Sequence, residues 1–167
     1  MKKRIIFITT GGTIEKTYDE QSGTLSNRGS HLKDMLSTLR YPYLEIIHHD
    51  LLCKDSLDMS DNDRQIITDT VEQFLSEKCP IVILHGTDTM ELTASHMFDK
   101  LSPLDTPVVL TGAMKPFGFI NSDALQNLTE AVMAAQLLSP GMYIVMHGQV
   151  HKMPGVRKNR ELGTFSS

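Results

Sequence analysis

The chain has 167 residues, which suits one domain large enough to bury a core without disulfide or metal staples. A composition of 40% hydrophobic and 22% charged residues fits neither a disordered nor a membrane-spanning chain. With 16 basic against 20 acidic residues, a net charge of −4, 6% aromatics and no Trp, there is no cation surplus for phosphates and no stacking platform for bases, which argues against a nucleic-acid or anionic-membrane partner.

The first element in chain order is a strand over Arg4–Thr10. Met1-Lys2-Lys3-Arg4 before Ile5-Ile6-Phe7-Ile8 imitates a signal peptide, but the apolar run is too short and meets Thr9-Thr10-Gly11-Gly12. A cytoplasmic protein is expected, and Cys53 and Cys79, in different elements and without a C-x-x-C pair, are expected to be reduced thiols. Tyr18–Gly29 is polar and without periodicity, and reads as a long loop of the kind that forms lids. Ser30–Leu39 is a short helix candidate, and Tyr43–His48 a second strand. Over Ser60–Lys78, Ile67, Val71 and Phe74 form one stripe, with Ser60 as cap and Pro80 just past the end. Strands over Ile81–His85, Pro107–Thr111 and Met142–His147 alternate with helices over Asp88–Leu101 and Ser122–Leu138. The strand runs are continuously apolar, as in a parallel sheet buried on both faces. The fold class is therefore α/β, an open and mostly parallel sheet with helices on both faces, a three-layer sandwich.

Four strands end in a polar residue followed by glycine: Thr10-Gly11, His85-Gly86, Thr111-Gly112 and His147-Gly148. Ligands of open α/β sheets bind outside these carboxyl ends, where glycine permits sharp turns and close approach. Thr9-Thr10-Gly11-Gly12-Thr13-Ile14 can present the Thr13 hydroxyl beside backbone N–H groups, with Lys16 or Tyr18 near enough in sequence to be its partner. It is neither a dinucleotide fingerprint nor a P-loop. In His85-Gly86-Thr87-Asp88-Thr89-Met90-Glu91, Thr87 or Asp88 can cap the next helix, or Asp88 can accept a substrate ammonium or orient a lysine; spacing alone leaves both readings open. Lys54-Asp55-Ser56-Leu57-Asp58-Met59-Ser60 reads as a polar turn feeding the Ser60 cap. The His clusters lack a His-Glu-x-x-His arrangement, so no metal site is expected.

Together these motifs resemble the bacterial-type L-asparaginase/glutaminase family. Thr10-Gly11-Gly12-Thr13-Ile14 is similar to its first signature and His85 to Glu91 to its second, with Pro107 to Pro116, Ser122-Asp123 and Asn127-Leu128 following in order. The resemblance implies Thr13 as nucleophile, Tyr18 as the loop tyrosine assisting it, and Thr87, Asp88 and Lys158 as a linked catalytic group. It implies Ser56, Gly12, Thr87 and Asp88 as substrate contacts, with Ser56 and Asp88 holding the α-carboxylate and α-ammonium. Leu57 stands where some members carry Gln, and the chain is similar to the catalytic N-terminal domain without the second domain, which supplies an acidic residue in longer members. The implied activity is hydrolysis of the side-chain amide of L-asparagine to L-aspartate and ammonia, without a cofactor, in a homo-oligomer. A glutaminase, an ammonia-supplying amidohydrolase and a non-catalytic amino-acid-binding domain are the alternatives.

Overall fold

The computed structural model describes residues 2–167. The chain runs through β1 (Lys3–Gly11), a 3₁₀ turn at Thr13–Glu15, β2 (Lys16–Asp19), β3 (Thr24–Asn27), α1 (Leu32–Ser37), β4 (Leu44–Lys54) and a second 3₁₀ turn at Ser56–Asp58. It continues through α2 (Asp61–Leu75), β5 (Ile81–Leu84), α3 (Met90–Leu101), β6 (Pro107–Thr111), α4 (Ala124–Leu137), β7 (Gly141–Met146), β8 (Gln149–Lys152), β9 (Arg157–Asn159) and β10 (Thr164–Ser166).

The five expected strands form one sheet in the order β4-β1-β5-β6-β7, all parallel, and β8 adds an antiparallel edge. Their continuous apolar runs split by the period of two. Ile6, Ile8, Ile81, Ile83, Val108, Leu110 and Ile144 face the layer of α2 and α3, where Ile67, Val71, Met90, Ala94 and Met97 meet them. Ile5, Phe7, Val82, Leu84, Val109 and Val145 face α1 and α4, against Leu32, Met35, Leu128, Ala131, Val132 and Ala135. This is the expected α/β sheet with helices on both faces. Ser60 closes a full capping box at α2: its side chain accepts from the Asp63 amide, and the Asp63 carboxylate accepts from the Ser60 amide.

Two regions differ from expectation. Tyr18–Gly29 is not an irregular loop, because β2 and β3 pair as an antiparallel hairpin. Each four-residue strand has a single apolar member, Tyr18 and Leu25, paired across the hairpin, which is too little to show alternation. Its turn is instead made by Asp19, which accepts from the Gln21 amide and the Ser22 hydroxyl, with Gly23 at φ +68°. The hairpin β9–β10 likewise forms a separate two-stranded sheet. No helix among the described residues is long and apolar enough to cross a membrane.

Phe7 is wholly buried in the α1–α4 layer. Phe7→Ala should cost about 3–5 kcal/mol, read as a lowered midpoint in urea unfolding.

Candidate active site

In the strand order β4-β1-β5, the chain leaves β1 toward β4 on one side and later returns to β5 on the other. That reversal opens a crevice at the carboxyl ends of β1 and β5, the usual ligand position in such sheets. The turn after β1 carries Thr13 and the turn after β5 carries Thr87.

Close glycine contacts bring the turns together. Gly12 has φ +80°, and a Cβ on it would overlap the Gly86 amide nitrogen and Cα. A Cβ on Gly86 would lie 2.5 Å from Ser56 Oγ. The backbones therefore approach as closely as glycine permits, and Thr13, Ser56 and Thr87 flank one crevice. Ser56 is buried, and its carbonyl accepts from Thr89 Oγ1 at 2.8 Å. The preceding Asp55 accepts from the Leu57 amide at 3.0 Å, which fixes the 3₁₀ turn of Ser56.

Lys158 comes in from β9. Its Nζ donates to Thr87 Oγ1 and to Asp88 Oδ1, both at 2.8 Å, and the lysine side chain is only 7% exposed. Hydrogen bonding and charge from Lys158 hold the Asp88 carboxyl below the usual range, against the opposing effect of burial, and Arg160 Nη1 adds a contact at 3.1 Å. The N-cap position of α3 is Thr89, so neither Thr87 nor Asp88 is spent as the cap. Thr87, Lys158 and Asp88 form one hydrogen-bonded cluster instead.

Several expected groups have other partners. The Gly12 amide donates to Lys54 O at 2.8 Å, so it is not free to hold an oxyanion. The strand-end side chains of Thr10 and Thr111 donate to Leu84 O and Val145 O, both at 2.8 Å, and knit neighbouring strands. His85 is fully buried. Its Nδ1 pairs with Gly86 O and its Nε2 with Thr93 Oγ1, both at 2.8 Å, and burial pushes its pKa down to about 4. Neutral His85 thus braces the Gly86 turn. Tyr18 lies on β2, 57% exposed, and lines a cleft of about 330 Å³ with Phe117 and Phe119, outside the Lys158 cluster. Lys16 forms an ion pair with Asp55.

Sequence reading missed three contributors: Asn27, Arg160 and Glu15. Asn27 Nδ2 donates to Gly12 O at 2.8 Å and ties the β2–β3 hairpin to the Thr13 turn. Glu15 is buried under the same turn, accepting from the Gly11 amide at 3.1 Å and from Ser30 Oγ at 2.5 Å. Burial raises its pKa to about 7, with the Ser30 and Gly11 hydrogen bonds opposing that rise. The only sequence signal for Glu15 was its place two residues past Thr13.

These features define an α/β protein with a carboxyl-edge crevice that holds two threonine hydroxyls, a carboxylate and a buried ammonium. Residues 4–167 match the family model described as asparaginase, N-terminal, and the chain belongs to the asparaginase family. A solved L-asparaginase from Thermococcus kodakarensis superposes with a TM-score of 0.89 at 31% identity, covering 98% of this chain and 51% of that one. The L-asparaginase 1 of Escherichia coli is 36% identical over 81% of this chain and 41% of that protein. A glutamyl-tRNA(Gln) amidotransferase subunit of Methanococcus vannielii is 30% identical over 89% of this chain and 35% of that protein. The chain thus spans about half the length of these relatives, or less.

Glu15 generates a pH prediction. Its folded-state pKa of about 7 lies above the ordinary value of 4.5, so folded protein keeps a proton that the unfolded chain releases. Its contribution is fully present below about pH 4.5, falls as pH rises through about 7, and levels off above. Glu15→Gln should remove this loss. The variant's stability relative to wild type should grow by on the order of 3 kcal/mol between those limits, measured by urea unfolding across pH.

Proposed function

We propose that the chain is the catalytic part of an amidohydrolase that converts L-asparagine to L-aspartate and ammonia, with Thr13 as nucleophile. The observation that carries this reading is Lys158 Nζ, 2.8 Å from both Thr87 Oγ1 and Asp88 Oδ1, beside the turn that presents Thr13. An ammonium donating to a hydroxyl oxygen favours loss of that hydroxyl's proton. It makes Thr87 a group that can orient or deprotonate water.

In the first half-reaction Thr13 Oγ attacks the amide carbon and gives its proton to water. A C–O bond forms, and the amides of Thr13 and Thr87 face the developing oxyanion, since that of Gly12 is engaged. The C–N bond then breaks, and the nitrogen leaves as ammonia after receiving a proton. In the second half-reaction water, positioned by Thr87, adds to the threonyl ester and releases the new carboxylate. Asp88 and Ser56 hold the amino-acid end of the substrate. The asparagine substrate is favoured by the L-asparaginases among the similar proteins. A second reading, an ammonia donor to another acceptor, is supported by the amidotransferase component among them.

Ammonia release from L-asparagine and from L-glutamine tests these readings together. Thr13→Ala should fold as wild type, retain aspartate binding, and lose turnover by at least about a thousandfold. Turnover that survives the substitution would remove Thr13 as nucleophile. Aspartate binding by wild type without ammonia release would favour a non-catalytic binding domain.

A further inference from the structure

Lys158 is carried by a hairpin that is held to the protein by side chains. Among the described residues, β9 and β10 pair only with each other and belong to no larger sheet. Lys158 lies opposite Phe165 in that pairing, and Phe165 is buried in the main core. The next residue back, Thr164, reaches the end of β7. There Thr164 Oγ1 lies 3.0 Å from His147 Nδ1, and His147 Nε2 lies 2.7 Å from Asp123 Oδ2.

This three-residue chain is anchored at its far end. Asp123 accepts from the Met114 amide at 2.9 Å and from the Lys115 amide at 3.0 Å, in the segment after β6. Burial opposes charge on Asp123, but the Met114 amide and His147 outweigh it and keep the carboxyl below its usual range. The carboxylate therefore accepts from His147 Nε2–H, while Nδ1 on the other side of the ring pairs with the Thr164 hydroxyl. His147 holds an unusual backbone conformation, φ +53°, secured by its amide donating to Asn127 Oδ1 at 3.1 Å. A left-handed non-glycine residue is strained, and here the strain aims the imidazole between Asp123 and the hairpin. The Met114 side chain completes the circuit, since Thr87 Oγ1 lies 3.6 Å from its sulfur. One network therefore touches both the segment beside Thr87 and β10, the strand paired with the one that delivers Lys158.

We propose that His147 is a positioning residue for Lys158: the Asp123–His147–Thr164 chain fixes the β9–β10 hairpin at the depth where the lysine meets Thr87 and Asp88. Its catalytic consequence rests on the amidohydrolase reading; its structural consequence does not.

The test separates the two. Thr164→Val keeps the side-chain shape and removes the hydroxyl, and His147→Asn removes the imidazole at a left-handed position that asparagine tolerates. Lys158 acetylation by dilute acetic anhydride is followed by mass spectrometry, with Lys16, ion-paired elsewhere at the site, as internal reference. Both variants should label Lys158 several-fold faster while Lys16 is unchanged, and Thr164→Ser should restore protection. In ammonia release, kcat should fall about tenfold in Thr164→Val and recover in Thr164→Ser. Unchanged Lys158 labelling in both variants, or an equal rise at Lys16, overturns the proposal. The expected labelling in a protein that releases no ammonia upholds the positioning role and refutes the amidohydrolase reading.

Discussion

The site depends on the absence of three methyl-sized volumes, at Gly11, Gly12 and Gly86. Where Gly12 lies on Gly86, backbone meets backbone, and no other residue fits without moving one of the turns. Gly86 in turn lies on Ser56, and Gly11 on the backbone of Lys54. The sheet order supplies the other half of the constraint, because β4, β1 and β5 are neighbours and their carboxyl ends are one strand spacing apart. Reactive groups separated by more than seventy positions in the chain thereby share one crevice, without any of them having to reach far. Side chains anchored on such turns lose little freedom on binding a substrate, which favours a fixed catalytic geometry.

The main sheet was legible because its strands are buried on both faces. Ile-Val-Ile-Leu at Ile81–Leu84 has no polar member to confuse the pattern, and Ser60 announces α2 by a cap chemistry that is local in sequence. The hairpins were not legible for the opposite reason. Lys16–Asp19 and Thr24–Asn27 are stabilised by their own turn, by Asn27 on Gly12, and by Lys16 on Asp55. Such pairings leave no periodic trace, and a short hairpin of this kind is marginal without its attachments.

The site was legible to the extent that its chemistry sits on glycine turns. Thr13, Ser56, Thr87 and Asp88 fall on such turns or next to them, and Lys158 donates to both Thr87 and Asp88. What spacing could not decide was which residue capped α3; the Thr89 hydroxyl goes to the Ser56 carbonyl, and Asp88 is left for the lysine. Glu15 and Arg160 carry no local signature, and the His147-Gly148 strand end does not tell that the imidazole lies between Asp123 and Thr164, because each partner is set by tertiary packing. Tyr18, near Thr13 in sequence, stands on the β2–β3 hairpin and lines the cleft that Phe117 and Phe119 also line.

Beneath the two touching turns lie two buried titratable groups of opposite type, Glu15 under Gly11–Thr13 and His85 under Gly86. In folded protein Glu15 keeps its proton up to about pH 7 and His85 releases its own down to about pH 4. An unfolded chain reverses both, carrying a carboxylate above about pH 4.5 and an imidazolium below about pH 6.5. Between those last two values, folding takes one proton up at the glutamate and gives one off at the histidine. Their sum is close to zero, so this pair neither adds to nor subtracts from the pH dependence of stability across mildly acidic conditions. The two turns are thus underlain by a neutral acid and a neutral base, and the charges of the crevice are those of Lys158, Arg160 and Asp88.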